Sequence, residues 1–145
     1  MGKLTKSIEI EASPEKVFDF INDTERMNKA HEGFTQATYT SKGPVGLGTT
    51  MHMVGKHGGS NLEWDMKITE FEKNKKVTMY TETPSRMKLA LILEPTAKGT
   101  NLTQALDYEV PYSFVGKIVD KLKVSKDVDK EVTLFFEKAK KSLEE

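Results

Sequence analysis

The chain has 145 residues, and its 22 basic and 22 acidic side chains give a formal net charge of zero. This length predicts a single domain over residues 1–145, with a core that is large enough to need no covalent cross-links. The balanced charge argues against a nucleic-acid partner, which usually requires a basic surface. The sequence contains no cysteine, so it excludes disulfides and thiolate metal sites.

No segment of the sequence predicts a membrane span or a secretory signal. The N-terminal stretch MGKLTKSIEI alternates apolar and polar residues, and no apolar run approaches the roughly 18 residues of a transmembrane helix. We therefore expect a cytoplasmic protein without an integral membrane segment.

The first elements are a strand and two short helices. Residues 3–11 alternate in polarity, which is typical of a strand. Ser13 followed by Pro14 predicts a helix start, because serine caps a helix and proline suits its first position. A second short helix is expected from Glu25 to about Ala30.

From residue 34 onward the pattern predicts six short strands joined by tight loops, which requires antiparallel pairing. These strands are FTQATYT (34–40), TTMHMVG (49–55), NLEWDMKITEF (61–71), VTMYTE (77–82), SRMKLALILE (85–94) and TNLTQALDYEV (100–110). Pro111 ends the sheet, and a long amphipathic helix is expected from about Ser113 to Leu143. A twisted antiparallel sheet with this helix across its concave face is an α+β fold.

One face of the predicted sheet is unusually rich in methionine. Five of the methionines, at positions 51, 53, 66, 79 and 87, fall in predicted strands, and Trp64 shares their inward parity. Rows of this kind usually form a packed core. Methionine, however, is flexible and adapts to varied apolar shapes, so the pattern also suits a cavity that receives an apolar guest.

Several motifs along the chain resemble one superfamily. They are IEIEASPEKVFDFINDTERM, GPVGLGTTM, WDMKITEFEKNKKVTMY and KGTNLTQALDYEVP. The element order and these motifs are similar to the START-like, or SRPBCC, helix-grip fold, and in particular to its polyketide cyclase/dehydrase-like branch. These motifs are structural, so they indicate the fold more strongly than an activity.

The resemblance implies a cavity between the sheet and the long helix that takes an apolar ligand. The strand residues it places in this cavity are Met51, Met53, Trp64, Met66, Met79, Met87, Leu89, Leu91 and Tyr108. The helix residues it adds are Val115, Ile118, Val119 and Leu122. His31 lies where relatives often carry a tryptophan, near the expected cavity mouth.

Polar residues with inward parity are few, namely Thr81, Gln104 and the hydroxyl of Tyr108. Each is expected to bond a neighbour or to await a ligand, because buried polar groups need partners. His52 is out of phase with Met51 and Met53, so it is expected to face solvent. The histidines show no metal-ligand spacing, and we expect neither a metal nor a cofactor.

Charged residues of the long helix are interleaved in sign, which is typical of a solvated face. Glu131 belongs to this set, and so do Asp120, Asp127 and Asp129 with the neighbouring lysines. No pair of carboxylates, nucleophile motif or phosphate loop stands out, so no catalytic residue is assigned.

The sequence therefore favours binding of a hydrophobic small molecule, lipid-like or polycyclic, with Gln104, Tyr108 or His31 fixing its orientation. An alternative is a polyketide cyclase or dehydratase, which would need His31 or Tyr108 aimed into the cavity. A second alternative is a co-chaperone-like interaction module, which would need an exposed apolar patch. The sequence identifies no protein partner.

Overall fold

The computed structural model describes residues 2–31, 35–57, 60–83, 85–109 and 121–145, without the side chains of 56–57, 60–62 and 121–125. In the part of the chain that the structure describes, one strand and two short helices are followed by six strands and a long helix. The elements are β1 (Gly2–Ile10), α1 (Pro14–Ile21), α2 (Thr24–Ala30), β2 (Thr35–Tyr39), β3 (Thr50–His57), β4 (Ser60–Glu72), β5 (Lys76–Thr81), β6 (Met87–Pro95), β7 (Thr100–Tyr108) and α3 (Lys121–Glu144).

The strands form one curled antiparallel sheet in the order β1-β7-β6-β5-β4-β3-β2. Strands β2 to β7 follow the chain as a meander, and β1 pairs with β7 along its whole length. The register between β4 and β5 shifts between Ile68 and Glu70, and an irregularity of this kind bends a strand and increases its twist. The predicted antiparallel sheet is confirmed, and β1 completes it as the seventh strand.

The first short helix begins where Ser13 and Pro14 predict, and the second begins at Thr24, one residue before the predicted start. The Ser13 hydroxyl caps α1 by accepting a hydrogen bond from the Lys16 amide at 3.3 Å, with Pro14 in the first helical turn. The Asp23 carboxylate caps α2 through the Arg26 amide at 3.2 Å. Each cap satisfies a backbone N–H that the helix itself leaves unpaired.

The last helix, α3, packs on the sheet with its apolar stripe buried. Phe135 is 0% exposed, and Val132, Phe136 and Ala139 are buried around it in the main core. Polar contacts fix the helix against the edge strand β1, because Lys6 Nζ donates to Thr133 Oγ1 at 2.6 Å. The arrangement is the predicted helix-grip α+β fold, and it encloses the concave face of the sheet.

Candidate functional site

A cavity of about 160 Å³ lies between the concave face of the sheet and the helices. Its wall is mostly apolar and comes from inward positions of β2 to β7 and from the three helices described above. The apolar and aromatic residues of the wall are Ile21, Met27, Ala37, Tyr39, Met51, Met53, Trp64, Ile68, Val77, Met79, Met87, Leu89, Leu91, Leu106, Tyr108, Val128 and Val132.

Strand register brings the sheet side of this wall together. Met53 lies opposite Trp64 across β3 and β4, and Leu89 of β6 lies between Met79 of β5 and Leu106 of β7. Alternate residues of a strand share a face and cross-strand partners are adjacent, so correct pairing alone gathers these side chains. The period-two pattern of the sequence therefore carries the information that builds this wall.

Most residues expected to bind a ligand line this cavity. They are His31, Met51, Met53, Trp64, Met79, Met87, Leu89, Leu91, Gln104 and Tyr108. Met66 differs, since it is 1% exposed in the core beside Met51 and is not part of the wall. Val115, Ile118, Val119 and the side chain of Leu122 lie outside the described part of the chain. A ligand-binding role for all of these residues stays a prediction.

One polar corner of the wall joins α2, β2 and α3. His31 ends α2, and its ring stacks on Phe135 with centroids 4.5 Å apart and planes inclined by 6°. His31 Nδ1 lies 3.2 Å from Glu131 Oε1, and the Thr35 hydroxyl donates a hydrogen bond to the same carboxylate oxygen. The Nδ1 contact is close but not aligned as a hydrogen bond, so we regard it as an electrostatic contact.

The position of Glu131 corrects the sequence analysis. Glu131 was expected on a solvated face, but it is 7% exposed and lines the cavity. The alternating charges around Glu131 indicate a solvated face, but Glu131 lies three residues after the buried Val128 and four residues before the buried Phe135. Residues three and four apart share a helix face, so the spacing was the signal that could have found it.

The other expected polar anchors differ in how their side chains are used. Gln104 is 7% exposed and lines the cavity, and none of the described side chains hydrogen-bonds to its amide. Tyr108 is 8% exposed, and its ring covers Gly2 so closely that a Cβ there would lie 2.3 Å from it. Thr81 is not part of the wall, and its hydroxyl bonds the Thr83 carbonyl at 3.0 Å.

Tyr39 is a wall residue that the sequence analysis did not select. Its hydroxyl donates to the Asn22 carbonyl at 2.6 Å, tying β2 to the end of α1. Burial, with a smaller effect of the Asp23 carboxylate, raises the pKa of Tyr39 to about 12. The phenol is therefore held neutral as a fixed hydrogen-bond donor.

The outward face of the sheet carries a separate charged group. His52 Nδ1 lies 2.9 Å from Asp65 and Nε2 lies 3.1 Å from Glu63. These hydrogen bonds, that to Asp65 first, raise the pKa of the exposed His52 imidazole. The predicted outward orientation is confirmed, and no group of three or more possible metal ligands occurs among the described residues.

The fold and the site together define a class: an α+β helix-grip protein with an apolar cavity between sheet and terminal helix. Residues 1–144 match the family of polyketide cyclase / dehydrase and lipid transport proteins, and the chain belongs to this family. The membership and the structure together support a hydrophobic ligand-binding fold. No curated protein matches the sequence.

Solved structures share this fold at low sequence identity. A START superfamily protein from Mycobacterium smegmatis has a TM-score of 0.77 at 14% identity, with 98% of this chain and 97% of that chain covered. Protein CV1439 from Chromobacterium violaceum has a TM-score of 0.72 at 12% identity, covering 100% and 99%. The Aha1 dimer from Colwellia psychrerythraea has a TM-score of 0.68 at 19% identity, covering 99% and 97%. None of the helices described is both long and apolar enough to cross a membrane.

Proposed function

We propose that this protein binds a hydrophobic small molecule in the cavity beneath α3. The observation that carries the proposal is the wall itself, in which four strand methionines and the single tryptophan of the chain surround an open volume. Removal of apolar ligand surface from water supplies the driving force, about 25 cal/mol per Å². The family, which includes lipid transport proteins, supports the same proposal.

The cavity volume bears on the size of the ligand. At about 160 Å³ it is similar to an apolar cavity of roughly 150 Å³ that binds benzene, and smaller than the roughly 300–1,000 Å³ of drug-sized sites. A molecule of one ring or a small fused ring system fits the space as it stands. A longer, lipid-like molecule requires the methionine side chains to move, which their unbranched, flexible chains permit.

Titration of the purified protein with p-xylene and with 1-dodecanol tests this proposal. Calorimetry measures affinity and stoichiometry, and the fluorescence of Trp64 reports occupancy because it is the single tryptophan and lies in the wall. We expect saturable binding of one molecule per chain, a change in Trp64 emission, and competition between the two probes. Failure of both probes to bind saturably would contradict the proposal.

A matched control separates the cavity from surface binding. Leu47 is the large apolar side chain that is most exposed in the described structure, at 74%, and it is not part of the wall. Leu47→Ser should leave both affinities unchanged. A loss of binding in this variant would place the probes on the surface.

A second candidate function is catalysis of the cyclase or dehydratase type, which the His31–Glu131 contact favours. A dehydratase needs a base to remove the proton next to a carbonyl and an acid to protonate the departing hydroxyl. Incubation with an aryl β-hydroxyketone should then give the conjugated enone and water at a rate that His31→Phe abolishes. Equal rates with and without the protein would reject this candidate.

The interaction-module alternative gains less support. Such a module would need an exposed apolar patch, and Leu47 stands alone as an exposed large apolar side chain among the residues described. The described surface therefore favours cavity binding over this alternative.

A further inference from the structure

We infer that the polar corner formed by His31, Glu131 and Thr35 is a recognition site for a neutral hydroxyl group on the apolar ligand. This inference deepens the proposed function and rests on it, since it assigns the cavity a chemical class of guest: a compact apolar ring bearing one alcohol or phenol. The observations that carry it are the geometry of the corner and its burial.

The corner is held rigidly from three elements. The side chains of His31 and Glu131 are 15% and 8% exposed, so both are largely withdrawn from solvent. The Thr35 hydroxyl anchors the carboxylate, and stacking on Phe135 fixes the plane of the imidazole. A group of this kind presents a defined direction to a ligand, because its members have little freedom to rotate.

The two imidazole nitrogens have different surroundings. Nδ1 of His31 is buried and lies 3.2 Å from Glu131 Oε1. The 15% of the His31 side chain that remains exposed therefore belongs to other atoms of the side chain. Since His31 lines the cavity, Nε2 is the ring nitrogen left for a guest. The negative charge of a carboxylate beside Nδ1 electrostatically favours the tautomer that carries its proton on that nitrogen, which leaves Nε2 as the acceptor of the neutral ring.

A hydroxyl is the ligand group that suits Nε2 in either protonation state. In neutral imidazole with the proton on Nδ1, Nε2 accepts a hydrogen bond, and in imidazolium it donates one. A hydroxyl both donates and accepts, whereas a carbonyl only accepts. The hydroxyl therefore keeps a partner whichever form His31 takes.

The neighbouring carboxylate argues against an acidic guest. A ligand carboxylate in this corner would bring a second acidic group close to Glu131 in a cavity with an apolar wall. Like charges repel strongly where water is excluded. We expect the site to discriminate against fatty and aromatic acids for this reason.

Three probes of nearly equal shape test the inference: p-xylene, p-cresol and p-toluate. Each is titrated into the wild-type protein and into His31→Phe, which keeps an aromatic ring to stack on Phe135 and removes both nitrogens. The quantity measured is the ratio of the Kd of p-xylene to that of p-cresol. We expect this ratio to fall by about tenfold in the variant, the loss typical of a buried hydrogen bond left unmade.

Glu131→Gln is the second variant, and it serves also if His31→Phe does not fold. The amide oxygen of glutamine can still accept from Thr35, while the acidic group is gone. In the wild type, p-toluate should bind about tenfold or more weakly than p-cresol, and this gap should narrow in Glu131→Gln. His52→Phe, on the outward face of β3, is the matched control. It should leave unchanged both the ratio of the Kd of p-xylene to that of p-cresol and the ratio of the Kd of p-toluate to that of p-cresol.

The outcomes separate this inference from the proposed function. If p-xylene binds but the xylene-to-cresol ratio is the same in wild type and His31→Phe, the hydroxyl site is wrong while cavity binding stands. Tightest binding by p-toluate, or an equal change in His52→Phe, would also overturn it. If none of the probes binds, the proposed function fails for guests of this size, and the inference fails with it.

Discussion

Ala37→Leu should close the cavity from the β2 side while the protein stays folded. Ala37 lines the cavity, and the added side chain contributes three carbon atoms, each worth about 0.8 kcal/mol when buried. The gross gain of about 2.4 kcal/mol is offset by lost rotamer freedom and packing strain, which together cost about 1–3 kcal/mol. We expect an unfolding free energy within about 1.5 kcal/mol of wild type, measured by urea denaturation.

The same substitution should weaken ligand binding strongly. The three carbon atoms occupy space that p-xylene would fill, and loss of about 2 kcal/mol of contact corresponds to more than about tenfold in Kd. Calorimetric titration measures this change, and Thr38→Leu on the outward face of β2 is the control that should bind normally. Unchanged affinity in Ala37→Leu, or destabilisation well beyond that of Thr38→Leu, would refute the account of an open volume beside Ala37.

Two further predictions concern the frame of the site. Gly99→Ala should lower the free energy of unfolding by about 2 kcal/mol in urea denaturation. The Cβ of the new alanine would lie 2.3 Å from the Ile10 carbonyl oxygen and 2.7 Å from the Ala12 amide nitrogen. An unchanged free energy of unfolding would mean that this contact is not tight. Folding raises the pKa of Tyr39 from 10.0 to about 12. The contribution of Tyr39 to the stability of the folded protein is therefore complete below the unfolded-state pKa of about 10, and it is lost as the pH rises through about 12. Urea midpoints across this range should fall more steeply for wild type than for Tyr39→Phe, and parallel curves would contradict the assignment.

The sheet side of the cavity was predictable because a single rule governs it. Alternation fixes which strand residues face inward, and short loops fix which strands are adjacent. The alternation therefore predicts the inward face of Met53, Trp64, Met79 and Leu89, all of which line the cavity. Met66 shows the limit of the rule, since parity separates inside from outside but not cavity from packed core.

The polar corner could not be predicted in the same way. His31 and Thr35 come from the short segment around the end of α2 and the start of β2, and Glu131 comes from a helix almost a hundred residues later. Their meeting depends on how α3 lies across the sheet, which no local periodicity specifies. The alternating charges around Glu131 indicate a solvated face, whereas its spacing from Val128 and Phe135 indicates the buried face on which it lies.

Nuclear magnetic resonance of the methionine methyl groups during titration with p-xylene tests the central claim most directly. Met27, Met51, Met53, Met79 and Met87 line the cavity, while Met66 is buried beside it without reaching it, so the chain carries its own control. We predict large, saturable shifts of the five wall methyls and a much smaller response of Met66. No response, or an equal response of Met66 and the wall methyls, would contradict the account of a guest-binding cavity.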